Sequence, residues 1–548
     1  MKGAAVVAEI LKREGVTDLP CYPRNAIIEP AAELGIRPYI VRQERTGMHM
    51  ADAISRVTSR QKIGVFAMQQ GPGTENAYGA VAQAYAESVP LLVLPMGHAR
   101  RAAQIAPNFS AMLQMRGISK TVEQVTFADD IPNAMRRAFT QLRNGRPRPC
   151  IVELPVDVLA EEFTGNIDYQ PVLTSRSAPD PAVVPKAAAA MIDAKRLVIY
   201  AGQGIHYGRA WKQLKELAEL LAAPVVTTYA GKSSFPENHP LSLGSGGASF
   251  SKQAYDFVEN ADLIFGAGCS FTQTPFAINM PRGKRYIHAT WDMAEVNKNL
   301  PTEMALVGDL DLTLDALVAE VKDRLKGKAR DAGPVAKEIK TIRDAWLAEW
   351  MPELTSNDVP ISPYRVIWDL LHTLDVPNTI VTHDSGSPRN QIVPFWQSIE
   401  PMSYIGWGKS TQLGYGLGLA MGAKIAKPEK TCVNFWGDAA FGHTGMDFET
   451  CVRDNIPILS ILVNNNCMAA ELNVMTSSTE KYRSTDISGN YSDLAKALGG
   501  YSERITNPAE IVAAIKRGVA KTKEGKAVLL EFMTKKETRS SIYGRSGG

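Results

Sequence analysis

The sequence predicts an α/β fold made of three domains, each a doubly wound parallel sheet. Strand-like apolar runs alternate with helix-like stretches over most of the 548 residues. Two polar stretches that contain proline interrupt this alternation and divide the chain into three parts. A hydrophobic content of 45% supplies enough apolar residues for several cores of ordinary size.

The first domain is predicted for residues 1–165. Short apolar strands are indicated at residues 63–68, 91–96 and 150–154, with helical spacing of apolar residues between them. The polar stretch 164–185 that follows is typical of a linker between domains.

The middle domain is predicted for residues 186–325, from a strand at 196–200 to a helix at 310–325. A charged run at 326–340 and the stretch up to Pro363 form a second linker, which we expect to be partly helical. The last domain is predicted for residues 361–548.

Charge and composition exclude several classes of protein. The net charge is only +3, with acidic and basic residues interspersed, so no surface for nucleic acid or membrane is indicated. No apolar run approaches the roughly 18 residues of a membrane span, and the first fifteen residues have the pattern of an amphipathic helix rather than a signal peptide. Six cysteines are scattered without metal or disulfide spacing. We therefore expect a cytoplasmic protein.

Residues 437–466, GDAAFGHTGMDFETCVRDNIPILSILVNNN, are the most informative segment of the chain. Asp438 and Asn465 lie 27 positions apart, each where a predicted parallel strand gives way to the next element. That edge of an open α/β sheet is the usual place for a ligand. A carboxylate oxygen and an amide oxygen suit Mg²⁺, which favours about six oxygen ligands, phosphate and water among them.

This segment resembles the diphosphate-binding signature of thiamine diphosphate (ThDP) enzymes, a Gly-Asp-Gly followed by an Asn-Asn pair. The resemblance implies ThDP as cofactor, with Mg²⁺ held by the Asp438 carboxylate, the Asn465 side chain and the backbone carbonyl of Cys467. The second glycine of the signature is Ala439 in this chain, which still permits close approach unless the backbone there needs a positive φ. The resemblance assigns the diphosphate turn to Gly437, Asp438, Ala439 and Ala440.

A second segment, residues 41–56, reads VRQERTGMHMADAISR and places Glu44 at a strand-to-helix junction. It is similar to the Glu-x-x-x-x-His-Met-Ala pattern of the acetolactate synthase-like ThDP enzymes, whose glutamate contacts the aminopyrimidine ring. A carboxyl held against the N1′ nitrogen favours the imino tautomer through which the cofactor deprotonates itself. Burial should also raise the pKa of Glu44, because desolvation disfavours the charged form.

A third segment, residues 410–428, is a glycine-spaced entry into a helix and resembles the loop of the family that faces the pyrimidine. By that resemblance Leu413 is the apolar wedge between the two rings of the cofactor. The Thr411 carbonyl and the Leu413 N–H would bond the pyrimidine edge. Ser385 and Gly386 occupy the place of a second phosphate turn in the family.

The resemblance also implies an assembly. In this family the first domain of one subunit faces the last domain of another, so we expect a homodimer or a homotetramer.

The reaction implied is that of a ThDP- and Mg²⁺-dependent lyase or carboligase of the acetolactate synthase-like group. Such an enzyme cleaves or forms a C–C bond next to the carbonyl of a 2-oxo acid or 2-hydroxy ketone, so its partner is a small 2-oxo acid or aldehyde. Glu44 and Glu471 are the predicted catalytic residues, with Glu471 as the acid that donates a proton. The residues predicted to face substrate are Arg24, Asn25 and Gln114.

Two other functions stay open at this point. One is a 2-hydroxyacyl-CoA or oxalyl-CoA type lyase or decarboxylase with ADP or CoA in the middle domain. The other is a catalytically inert regulatory paralogue, although retention of Glu44, Asp438 and Asn465 argues against inertness.

Flavin is not expected in the middle domain. A glycine-rich turn, Gly202-Gln203-Gly204, follows a predicted strand, but such a turn alone is a weak signal for a dinucleotide. The Arg-Phe-Asp-Asp-Arg signature of flavin-binding acetolactate synthases is replaced by CSFTQ at residues 269–273. We therefore expect a vestigial nucleotide fold rather than a working FAD site.

Overall fold

The computed structural model describes residues 1–543 of the chain. Its strands form three six-stranded sheets, and the strands in each sheet run parallel. Helices connect successive strands, as parallel pairing requires. These sheets confirm the predicted fold class of three parallel α/β units.

The first sheet is formed between residues 18 and 155. Its strands β3, β4 and β6 are buried at every residue, which explains their continuous apolar sequence. The strands are β1 (Asp18–Cys21), β2 (Arg37–Ile40), β3 (Gly64–Met68), β4 (Leu91–Gly97), β5 (Thr121–Gln124) and β6 (Cys150–Pro155). The helices are α1 (Gly3–Arg13), α2 (Ile28–Glu33), α3 (Glu44–Val57), α4 (Pro72–Ala86), α5 (Ala111–Gln114), α6 (Ile131–Arg143) and α7 (Val156–Ala160).

The second sheet is formed between residues 197 and 307. Its strands are β7 (Leu197–Ala201), β8 (Val225–Thr228), β9 (Ser242–Gly246), β10 (Leu263–Ala267), β11 (Arg285–Thr290) and β12 (Met304–Val307). The helices are α8 (Val184–Asp193), α9 (Gly204–Gly208), α10 (Trp211–Leu221), α11 (Lys252–Glu259) and α12 (Leu310–Arg324).

The predicted second linker contains a long helix, α13 (Gly333–Leu354). This helix packs against α11 of the middle domain and against the first helix of the last domain. Because Trp346 and Trp350 are buried on it, the segment is a packed structural element rather than a loose connection.

The third sheet is formed between residues 379 and 533. Its strands are β13 (Thr379–His383), β14 (Tyr404–Ile405), β15 (Thr431–Gly437), β16 (Leu459–Asn464), β17 (Tyr501–Ile505) and β18 (Val528–Met533). The helices are α14 (Pro363–Thr373), α15 (Ser387–Phe395), α16 (Tyr415–Ala426), α17 (Asp438–Thr444), α18 (Phe448–Arg453), α19 (Thr476–Tyr482), α20 (Tyr491–Ala497) and α21 (Ile511–Lys523).

The first and third sheets have the same strand order. The first is β2-β1-β3-β4-β6-β5, and the third is β14-β13-β15-β16-β18-β17. The middle sheet differs, with the order β12-β11-β10-β7-β8-β9. In each sheet the order reverses beside the first strand, and the carboxyl ends of the strands flanking that point form a crevice where ligands bind.

Helices α3 and α16 join the first and last domains face to face. A Cβ built on Gly422 would lie 2.1 Å from the Met50 carbonyl oxygen, and one built on Gly418 would lie 2.6 Å from the His49 Cβ. Only glycine permits this approach of two helix backbones. The glycine spacing of residues 410–428 therefore serves interdomain packing.

All six cysteines are buried free thiols. Among residues 1–543, no helix combines the length and the apolar character needed to cross a membrane.

Candidate active site

Asp438 and Asn465 meet at the carboxyl edge of the third sheet. Asp438 is the first residue of α17 after β15, and Asn465 directly follows the neighbouring strand β16. The backbone N–H of Cys467 donates to Asp438 Oδ2 at 3.3 Å and to Asn465 Oδ1 at 2.9 Å. Both oxygens therefore converge on one point, although they are distant in sequence.

The other two asparagines of the run have different surroundings. Asn464 is buried and donates to Glu531 Oε1 at 2.7 Å, while Asn466 adopts a positive φ of 54° and is exposed. Of the three, only Asn465 lines a cavity beside Asp438.

The chemistry of this oxygen set suits a divalent cation. Asp438 is 3% exposed, and burial raises its pKa to about 6. Hydrogen bonds from backbone N–H groups have the opposite, smaller effect on this pKa. A bound cation would favour the ionised carboxylate and reverse that effect of burial. No cluster of three His, Cys, Asp or Glu side chains suited to a metal occurs in residues 1–543. A cation at this edge would accordingly draw on amide and carbonyl oxygens as well, the mixed set that Mg²⁺ accepts.

A cavity opens directly above these residues and holds about 990 Å³ of empty space, its mouth included. Gly386 lies on its wall at φ 77° and ψ −147°, where a side chain would be strained. Backbone N–H groups at the starts of α15 and α17 also border the cavity and suit an anionic group. The lining includes the predicted residues Ser385, Gly386, Thr411, Leu413, Gly437, Asp438, Ala439, Ala440, Asn465, Cys467 and Glu471.

Asp384 holds two loops of this site together. It is fully buried, and its carboxylate accepts the backbone N–H groups of Ser385 (2.7 Å), Gly414 (2.9 Å) and Gly416 (2.8 Å). Burial is the largest influence on its pKa, which is raised to about 6. The turn at 384–386 and the loop that carries Leu413 are thus fixed relative to each other. Sequence reasoning identified the turn but not this role.

Side chains of the first domain brace the same loop. Gln412, between Thr411 and Leu413, donates to Gln83 Oε1 at 2.6 Å and accepts a short hydrogen bond from Arg45. The Ser385 hydroxyl donates to the Thr411 carbonyl at 3.2 Å. The loop therefore has a defined conformation set by both domains.

Glu44 lies at the carboxyl edge of the first sheet, as the first residue of α3. It is 4% exposed, and its Oε2 accepts a hydrogen bond from Asn76 Nδ2 at 3.2 Å. Its pKa is raised, chiefly by desolvation, which agrees with the prediction from sequence. Asn76 had no signal in the sequence, because it approaches Glu44 only when α4 packs against α3.

Three family models match the chain in order. They describe the N-terminal thiamine pyrophosphate (TPP) binding domain (residues 1–124), the central domain (184–317) and the C-terminal TPP binding domain (384–532) of thiamine pyrophosphate enzymes. Together they span more than half of the chain. The protein belongs to the thiamine pyrophosphate enzyme family.

Relatives from distant organisms match nearly the full length. A probable acetolactate synthase large subunit of Methanocaldococcus jannaschii is 28% identical, over 95% of this chain and 90% of its own. The acetolactate synthase isozyme 3 large subunit of Escherichia coli K12 is 26% identical over 97% and 94%, respectively. These relatives place this thiamine pyrophosphate enzyme in the acetolactate synthase-like group, so it is an enzyme and ThDP is its cofactor.

In this thiamine pyrophosphate enzyme Glu44 belongs to the first domain, whereas Asp438 and Leu413 belong to the last. The cavity that contains Asp438 and Leu413 is lined, among the described residues, only by residues 363–534. Glu44 is not part of that lining.

The predicted substrate residues all lie in the first domain. Asn25 is buried, donates to the carbonyls of Met68 (2.9 Å) and Leu94 (3.0 Å), and accepts the Ile27 N–H (3.0 Å). Its amide is thus engaged in holding the first loop to the sheet, so its geometry does not favour a substrate contact. Arg24 is exposed at a positive φ of 69°.

Gln114 is exposed, and its Oε1 accepts the Ser110 N–H at 3.1 Å. His98 follows β4 near this edge, and a Cβ built on Gly71 would lie 3.8 Å from its Nε2. Sequence reasoning did not select His98, since it belongs to no recognised motif.

Proposed function

We propose that the chain is a ThDP- and Mg²⁺-dependent lyase or carboligase. It would break or form a C–C bond next to the carbonyl of a 2-oxo acid or a 2-hydroxy ketone. The names of its relatives, acetolactate synthases, agree with carboligation. The observation that carries the proposal is the convergence of Asp438 and Asn465 on the N–H of Cys467, at the base of a cavity bordered by the starts of α15 and α17.

The residues of the chain have separate tasks in this proposal. When bound, ThDP supplies a carbanion that adds to a carbonyl carbon and then accepts an electron pair. Asp438, Asn465 and the Cys467 carbonyl would hold Mg²⁺, which would neutralise part of the charge of the diphosphate. Leu413, on the cavity wall, would pack against the rings of the cofactor, and Glu44 would share a proton with the pyrimidine N1′.

Glu471 is the proposed proton donor to the reacting carbon. It ends a short 3₁₀ turn, Ala469–Glu471, and lines the same cavity as Asp438. A carboxyl within reach of the substrate in a partly enclosed cavity suits general acid catalysis.

A panel assay tests the reaction class. The purified protein is incubated with ThDP, Mg²⁺ and single or paired 2-oxo acids and aldehydes, and the products are identified by mass spectrometry. We expect loss of CO₂ or a new 2-hydroxy ketone or 2-hydroxy acid with at least one substrate. If no substrate gives a product that depends on both ThDP and Mg²⁺, the proposed reaction is wrong.

We further propose that two chains complete each site, with Glu44 of one chain facing Asp438 of the other in a cytoplasmic homodimer or homotetramer. The absence of Glu44 from the lining of the Asp438 cavity within one chain supports this. Exposed apolar side chains near each half also support it, namely Leu113 beside Gln114 and Val474 shortly after Glu471. Such side chains are typical of surfaces that another chain covers.

Mixed assemblies distinguish shared sites from sites within one chain. Glu44→Gln and Asp438→Ala chains are unfolded and refolded together in equal amounts. If the sites are shared, each mixed dimer has one intact site, and about a quarter of wild-type activity should return. If each chain forms its own site, no activity returns, because every site then carries one substitution.

A further inference from the structure

A second cavity lies where the three domains meet. It holds about 1000 Å³ of empty space, its mouth included, and shares no lining residue with the cavity that contains Asp438. The carboxyl ends of β7, β8, β10 and β11 form its floor. Glu87 and Arg146 of the first domain and Lys409 of the last domain complete its walls.

Several aromatic side chains form part of the walls. Tyr200 stacks on Phe271 with ring centres 5.9 Å apart, and Tyr207 stacks on Trp291 at 6.2 Å. Phe276 adds a further ring, held under the Arg389 guanidinium. Such walls favour a ligand with a flat or branched apolar body.

Two cationic side chains on these walls, Arg146 and Lys409, have different surroundings. Arg146 forms ion pairs with Glu295 and, at 3.3 Å, with Asp292. The Lys409 ammonium, by contrast, makes no hydrogen bond or ion pair to any residue of 1–543, while its backbone N–H donates to Glu87. A positive charge therefore faces the cavity without a direct protein partner.

Burial lowers the pKa of Lys409 to about 8, with Glu87 opposing that effect. The ammonium is thus still the main form at neutral pH, but it is poorly solvated. Lys409 is half-buried, and a partly desolvated charge of this kind gains from an anion that brings its own negative charge.

We propose that this cavity binds a small monocarboxylate with an aromatic or branched apolar body, whose carboxylate contacts the Lys409 ammonium. The charge balance selects a single negative charge. Glu87, Asp292 and Glu295 also line the cavity, so a ligand with several negative charges, such as a diphosphate, would be repelled.

The position of Lys409 connects this site to the cofactor loop. The N–H groups of Gly408 and Lys409 both donate to Glu87 Oε1, and Thr411 follows two residues later. A ligand on Lys409 would therefore contact the segment that leads directly to Leu413.

Calorimetry on the full chain loaded with ThDP and Mg²⁺ tests the proposal. The probes are 3-phenylpropanoate and its neutral analogue 3-phenylpropanamide. We expect the wild type to bind one acid per chain. It should bind the acid at least about tenfold more tightly than the amide, because only the acid forms an ion pair with the Lys409 ammonium. Lys409→Met should lose this preference, and Lys409→Arg should keep it.

Lys186→Met is the matched control, because Lys186 is exposed on α8 and makes no contact with the cavity. Thermal unfolding of each variant verifies that it is folded. Three results would overturn the proposal: no binding of acid to the wild type, an unchanged preference in Lys409→Met, or displacement of the acid by ADP or FAD. The last result would mark the cavity as a nucleotide site.

Discussion

The sheets of the first and last domains have the same strand order, but the residues at their carboxyl edges suit different ligands. In both, the strand order reverses at the same point, and the helix after the second strand begins at the carboxyl edge. In the first domain that helix, α3, starts with Glu44 after a connection of three residues. In the last domain the corresponding helix, α16, starts after a nine-residue loop that carries Leu413.

The comparison of the two domains shows that sheet topology and the turns after the strands have different roles. Topology determines where ligand-binding residues can lie, because parallel strands present their carboxyl ends together. The turns determine which group is bound there. One edge offers a buried carboxyl suited to a ring nitrogen, and the other offers oxygens and N–H groups suited to a cation and phosphates.

The largest expected effect comes from the metal side of the last domain. Asp438→Ala removes one of two convergent side-chain oxygens and should weaken Mg²⁺-dependent ThDP retention by on the order of 100-fold or more. Loss of groups that merely support a metal ligand already costs roughly 10- to 100-fold. Equilibrium dialysis with and without Mg²⁺ measures the effect.

Asp315→Ala is the control for this experiment, because Asp315 is exposed on α12. If Asp438→Ala retains ThDP with the same dependence on Mg²⁺ as the wild type, Asp438 does not bind the cation and the carboxyl edge of the last domain has no metal role.

The next effect comes from the first domain. Glu44→Gln should leave ThDP retention nearly unchanged while slowing proton exchange at the thiazolium carbon by about 10²- to 10⁴-fold, the range typical of a positioned proton-transfer group. Exchange is followed by NMR in deuterated water. Glu75→Gln, an exposed acid in the first turn of α4, is the matched control. Unchanged exchange in Glu44→Gln would remove the role assigned to this edge.

The smallest effect tests how the last domain positions its longer loop. In Asp384→Asn an amide NH₂ replaces one carboxylate oxygen, so one of the three backbone N–H donors loses its acceptor. The cost is about 1–3 kcal/mol of stability, with a severalfold fall in kcat at nearly constant KM. Thermal unfolding and steady-state kinetics measure both. A variant with unchanged stability and kcat would show that Asp384 does not position Leu413.

Much of the fold could be predicted from the sequence. The strand predicted at 91–96 is β4 (Leu91–Gly97), and the helix predicted at 310–325 is α12 (Leu310–Arg324). These elements are buried and strongly apolar or periodic, so their pattern is local. The second linker was harder, because the amphipathic character of α13 depends on the neighbours that cover Trp346 and Trp350.

The cofactor site divides in the same way. Glu44, Asp438 and Asn465 stand next to strand ends, where a short motif is enough to identify them. Asn76, Gln412 and the contacts of Asp384 come from elements far apart in sequence, so no local pattern indicates them. The prediction that Asn25 faces substrate relied on its position in a loop. Nothing in the sequence indicates that its side-chain amide donates to the carbonyls of Met68 and Leu94.

By itself the sequence predicted the three α/β units, because hydrophobic periodicity is encoded within short windows. It indicated the cofactor family through the resemblance of three short motifs to those of ThDP enzymes. Only the tertiary structure decided that Glu44 does not line the cavity of Asp438 and that Lys409 lines a cavity between three domains. Those properties depend on which distant surfaces pack together and which charges find partners, and long-range packing sets both.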